Sequence, residues 1–75
     1  MKLTDIALEG FNAAPNQACP YLNTSPNSDG WHIGRWLRGT GRSAPREVST
    51  SRGHSIRAND MLLKVNSRGE VSRVA

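Results

Sequence analysis

Apolar residues recur at helical spacing in the first half of the chain and at strand spacing near its end. Leu3, Ile6, Ala7, Gly10, Phe11 and Ala14 fall three and four apart on one arc of a helical wheel, with Asp5, Glu9 and Asn12 outside it. This predicts a first helix with an N-cap at Thr4, Asp5 in the positive first turn, and a boundary at Pro15. The stretch from Ser28 to Gly39 predicts a second helix of about three turns, opened by Ser28-Asp29 and closed by Gly39. Ile33, Trp36 and Leu37 cluster on one of its sides. Trp31, Arg35 and Arg38 cluster on the other, with Gly34 beside them. A glycine weakens a helix interior by about 1 kcal/mol relative to alanine. Gly10 and Gly34 nevertheless lie on packing faces, which predicts a close approach of the two helices there.

Between the helices, Pro15 to Asn27 is a loop holding Pro15, Pro20 and Pro26, in which Tyr21 and Leu22 can fold back on the helix pair. Tyr21 is either a packing plug or a base-stacking ring. After Gly39 the composition changes to Gly, Ser, Thr and Arg, with Val48 the only sizeable apolar group before Ile56. Such a stretch buries too little to offset its ordering entropy and reads as a mobile basic linker carrying Arg42, Arg46 and Arg52. Apolar residues return at Ile56, Met61, Leu62, Leu63, Val65, Val71 and Val74, with Asn66-Ser67-Arg68-Gly69 as a hairpin turn. Strands are predicted at 62–65 and 70–74; the competing reading is a short helix capped by Asn59 or Asp60 and ended at Gly69. The predicted fold class is small α+β. It has an N-terminal helical hairpin over 1–39, a basic flexible linker over 40–55 and a C-terminal β-hairpin over 56–75. The alternative is all-α with a short third helix.

Charge sharpens this division. Met1 to Gly34 carries Lys2 against Asp5, Glu9 and Asp29, a balance of −2. Arg35 to Ala75 carries nine basic residues, eight of them arginine, against Glu47, Asp60 and Glu70, a balance of +6. Guanidinium pairs bidentately with phosphate and stacks on flat rings, so an anionic partner is expected. Trp31, Arg35 and Arg38 on one helix face suit RNA, although Trp31 also reads as the closure of a small core. With 75 residues and 36% hydrophobic content the chain supports one modest core. The single cysteine, Cys19, excludes an internal disulfide and suits a reducing compartment. No apolar run reaches the length of a membrane span and no signal-peptide pattern precedes Thr4, so a cytoplasmic, membrane-free protein is expected.

Catalytic patterns are weak. Cys19, His32 and His54 with Asp29 or Asp60 lack any paired metal-ligand spacing. A Cys19–His nucleophilic pair would need an orienting group and a pocket that a chain this small has little room for. Gly39-Thr40-Gly41-Arg42-Ser43 lacks the Walker spacing and its lysine. No enzyme, metal or cofactor is expected.

Gly10-Phe11-Asn12-Ala13-Ala14, then Cys19-Pro20-Tyr21, then Trp31 with Gly34, Trp36 and Gly39 together resemble the ribosome modulation factor family over about half the chain, Leu3 to Gly39. The resemblance implies a helical hairpin that binds the small ribosomal subunit near rRNA, silences translation and promotes dimers of resting ribosomes. It also implies that Phe11, Tyr21 and Trp31 are core or RNA-facing aromatics and that Arg35 and Arg38 contact phosphate. Arg35 stands where the family has its second tryptophan, and Trp36 follows one residue later, turned by about 100°. The family's basic N-terminal arm is absent, and the positive charge lies C-terminal instead. The leading expectation is a non-catalytic module binding rRNA or the ribosomal small subunit through Tyr21, Trp31, Arg35, Arg38, Arg42, Arg46 and Arg52. The second is a phage- or mobile-element-type inhibitor that occupies an acidic or nucleic-acid-binding surface of a host complex. The third is a small drug- or nucleotide-modifying enzyme, since a related group with the same core is associated with fluoroquinolone modification.

Overall fold

Two helix backbones meet without side chains between them, and the rest of the chain is arranged around that contact. The computed structural model describes residues 2–22, 25–50 and 55–74. Helix α1 spans Leu3–Asn12 and helix α2 spans Pro26–Gly39. A Cβ on Gly10 would lie 2.1 Å from the Trp31 carbonyl oxygen, and one on Gly34 would lie 1.8 Å from that of Ala7. The predicted glycine notches are therefore real, and each admits the opposing main chain. Contacts step along both helices in the same order, Leu3 with Gly30, Ala7 with Gly34 and Phe11 with Arg38. The long connection after α1 thus brings the chain back to the start of the pair.

Both helices begin earlier than the sequence suggests. The α1 N-cap is Lys2, whose backbone N–H donates to the Asp5 carboxylate at 3.2 Å. The α2 N-cap is Ser25, which accepts from the Ser28 N–H at 3.3 Å, with Pro26 in the first turn where its missing N–H costs nothing. Ser28, read as a cap, is instead buried within the helix at 1% exposure. At the far end Gly41, at φ 70°, turns the chain. Its N–H reaches the Arg38 carbonyl at 3.2 Å and the Arg42 N–H reaches that of Leu37 at 2.9 Å. That bond pair is a Schellman ending, so Gly41 closes α2, not Gly39.

The fold is the expected small α+β: helices in the N-terminal part and antiparallel strands in the C-terminal part. Strands β1 (Val48–Thr50), β2 (Ser55–Ala58), β3 (Met61–Val65) and β4 (Val71–Arg73) form one antiparallel sheet in the order β1-β2-β3-β4. The predicted hairpin is β3–β4, with Val65 opposite Val71 and the Asn66 N–H bonded to the Glu70 carbonyl at 3.0 Å. Gly69 takes φ 80° in its turn. The alternative third helix does not occur among the described residues. Ile56, Ala58 and Leu63 alternate onto the helix-facing side and join Ala7, Ile33, Leu37 and Val48 in the core. Trp36 packs half-buried against this cluster.

The stretch read as a linker is corrected by β1, whose Val48 is only 6% exposed. Two side chains from elsewhere supply the order that its own composition lacks. The Thr4 hydroxyl, expected to cap α1, accepts from the Val48 N–H at 3.0 Å and donates to the Val48 carbonyl at 3.3 Å. Asn59, at φ 54° in the two-residue β2–β3 turn, accepts from the Arg46 N–H at 2.8 Å and donates to the Ala44 carbonyl at 3.4 Å. Its own N–H donates to the Glu47 carbonyl at 2.9 Å.

Gly34→Ala is expected to destabilise the fold by about 2–4 kcal/mol, because neither backbone can yield to the new methyl. A fall in melting temperature of about 10 °C or more by circular dichroism would show it. Gly39→Ala, where nothing lies within 4 Å, is the matched control and should be neutral or raise stability by about 0.5 kcal/mol.

Candidate functional site

The sequence-predicted site residues separate into a buried set and an exposed set. Trp31 is 1% exposed and belongs to the interior, so the expectation of a partner-facing indole at this position is corrected. Its carbonyl meets Gly10, the His32 ring stands edge-on to it with centroids 5.3 Å apart, and Arg35 covers its face at 5.3 Å. Its indole N–H is buried with no acceptor among the described residues. The helix contact draws Trp31 inward; it lies three residues before Gly34, on the face that meets α1.

Arg35 is also engaged internally. Its guanidinium donates to the carbonyls of Ala14 at 2.5 Å, Gln17 at 3.3 Å and Pro15. These groups follow α1, whose last turn contains no basic residue. Arg35 therefore places a cation from α2 at the negative end of α1, which favours both the carbonyls and the helix dipole. Arg38 lies over the Phe11 ring at 5.3 Å and donates to the Phe11 carbonyl at 3.3 Å, but is otherwise exposed. Tyr21 donates its hydroxyl to Glu9 at 2.9 Å, and that bond pushes the phenol above its ordinary pKa. The half-buried ring pins the connecting loop to α1. Arg52 lies outside the described residues.

Three of the exposed cations, Arg38, Arg42 and Arg46, lie at the end of α2 and just beyond it. A groove of about 220 Å³ is lined by Ala13, Pro15, Arg35, Arg38 and Gly39. Beyond the Schellman turn a second cleft of about 350 Å³ is lined by Gly41, Arg42, Ser43, Arg46, Asn59, Asp60 and Met61. The Arg42 guanidinium rests over the Trp36 ring at 5.1 Å. The Arg46 side chain is exposed, while its backbone is fixed by Asn59. Two residues that the sequence reading overlooked position this end: Gly41, which turns Arg42 back onto Trp36, and Asn59, which fixes residues 44–47. A second glycine, four residues beyond the last periodic apolar position Leu37, was the available signal for the first. Asn59 carried no local signal for this role, because its partners lie a dozen or more residues away.

Among the described residues no three His, Cys, Asp or Glu side chains come together to hold a metal ion. The Cys19 thiol lies 3.6 Å from the Ser28 hydroxyl and 3.8 Å from the Tyr21 carbonyl. No described helix is long and apolar enough to cross a membrane. No protein-family model, no curated protein and no solved structure matches the chain.

Arg35→Ala is expected to lower stability by about 1–2 kcal/mol through loss of the carbonyl bonds, whereas Arg42→Ala should change it by less than about 0.5 kcal/mol; urea unfolding of both variants checks this. His32 contributes a pH dependence. Its ring lies against the Gly69 turn, where a Cβ would stand 2.8 Å from it. Burial lowers its pKa, with Asp29 opposing and Arg35 reinforcing the shift. The unfolded chain therefore takes up the proton first. The stabilising contribution is full above about pH 6.5 and is lost as pH falls through the lowered folded value. The melting temperature should drop more between pH 7.5 and 5.5 in the native protein than in His32→Gln.

Proposed function

We propose that this protein is a non-catalytic RNA-binding module, directed at rRNA on the ribosomal small subunit, that modulates translation. The observation that carries the reading is the row of exposed guanidinium groups Arg38, Arg42 and Arg46 around the end of α2, beside a half-exposed indole at Trp36. Phosphate favours bidentate guanidinium, and an aromatic ring next to it offers a base a stacking surface. Arg38 keeps most of its donors available, and Arg42 holds its charge over a ring, which leaves the guanidinium edge open to a phosphate. The resemblance to ribosome modulation factors supplies the ribosomal direction through the helix pair. The sheet and the basic segment before it supply further contact surface.

The direct test is co-sedimentation with ribosomes across a salt series. Binding should weaken with a log–log slope of roughly −0.7 per single-stranded phosphate engaged. Arg42→Ala with Arg46→Ala should reduce both affinity and slope, while Arg35→Ala should leave the slope unchanged. A partner that stays bound after nuclease treatment of the extract would replace this reading with a protein-directed inhibitor.

A further inference from the structure

The larger cleft contains a carboxylate that a simple phosphate site would exclude. Asp60 lines both it and an adjoining cleft of about 320 Å³ formed with Arg46, Glu47 and Asn59. Among the described residues the Asp60 carboxylate, the Ser43 hydroxyl and the Arg46 guanidinium take part in no side-chain hydrogen bond or ion pair, although they line one space. The lining therefore offers an acceptor pair and several donors at once, with Met61 as its apolar part. The Asn59 bonds to the Ala44 carbonyl and the Arg46 N–H hold the backbone of one wall against that of the other. A volume of about 350 Å³ falls at the small end of the range for specific ligand clefts.

We propose that this cleft selects a guanosine of single-stranded RNA, its phosphates on Arg42 and Arg46 and its Watson–Crick edge on Asp60. A carboxylate presents two acceptors side by side. Guanine answers with two adjacent donors, N1–H and the N2 amine. Adenine and cytosine set one amine beside a bare acceptor, and uracil flanks its single N–H with two carbonyls; each places a lone pair against the carboxylate. The edge is free only when the base is unpaired, so the site reads single strands. Negative charge on Asp60 opposes a phosphate that brings no base, which converts an unspecific cation pair into a selective one. This inference rests on the RNA reading above and names the base that the same site takes.

Fluorescence anisotropy of the full chain with uridine-rich single strands tests it, using strands that differ only in one central guanosine, inosine or adenosine. The guanosine strand should bind about tenfold more tightly than the adenosine strand, with inosine, which lacks the N2 amine, between them. Asp60→Asn keeps a good turn residue and should abolish the preference for guanosine, while adenosine-strand binding holds or strengthens as the opposing charge is lost. The inosine comparison needs no variant, so it decides even if Asp60→Asn folds poorly. Equal binding of the three strands would overturn the guanosine proposal and leave the RNA reading standing. Failure of every strand to bind would overturn both.

Discussion

The structure depends on the absence of two side chains. With hydrogen at Gly10 and Gly34, carbonyl groups of one helix press against Cα atoms of the other. Close main-chain approach lets a helix of ten residues and one of fourteen share a seam too short for large interdigitating side chains. Each glycine costs its helix about 1 kcal/mol in propensity, and tertiary packing at the seam offsets that. Three other features follow from this contact. Trp31 is drawn inside, Arg35 reaches the carbonyls after α1, and the far face of α2 is left to cover the sheet.

The same contact explains which positive charges remain available to a partner. A short helix whose last turn lacks a cation leaves its terminal carbonyls exposed to solvent. Arg38 meets part of that need by donating to the Phe11 carbonyl, and Arg35 binds the loop carbonyls just beyond. Past the Schellman turn at Gly41, the Arg42 guanidinium rests only on the Trp36 ring, and that of Arg46 takes part in no side-chain hydrogen bond or ion pair among the described residues. Over α2 and the turn that ends it, Arg35 holds the fold, Arg42 and Arg46 face outward, and Arg38 stands between.

Local pattern was enough to read the helix pair, its glycine seam, the core positions Ile33 and Leu37, and the hairpin turned at Gly69. These depend on periodicity and turn chemistry within a few residues. Wheel geometry misplaced Trp31, because a tryptophan between a glycine seam and an arginine reads as amphipathic until the partner helix is present. The strand at Val48–Thr50 was illegible for a different reason. Its order comes from Thr4 and Asn59, forty-four residues before it and about ten after it, and neither announces that bond locally. The cap residues moved by a turn or less, since Ser25 and Ser28 are equally good caps in isolation and only burial of Ser28 separates them. At the candidate site Arg42 and Arg46 were legible from composition, whereas the carboxylate beside them was not.

The bond between Thr4 and Val48 has one more consequence. Strand β1 is an outer strand, and Val48 turns its N–H and carbonyl away from β2, toward the open side of the sheet. A bare pair of this kind is a template on which a foreign strand can add. The single hydroxyl of Thr4 occupies both groups, standing in for the neighbour that an edge otherwise recruits. The threonine in the first turn of α1 thus shields this part of the edge from edge-to-edge strand addition.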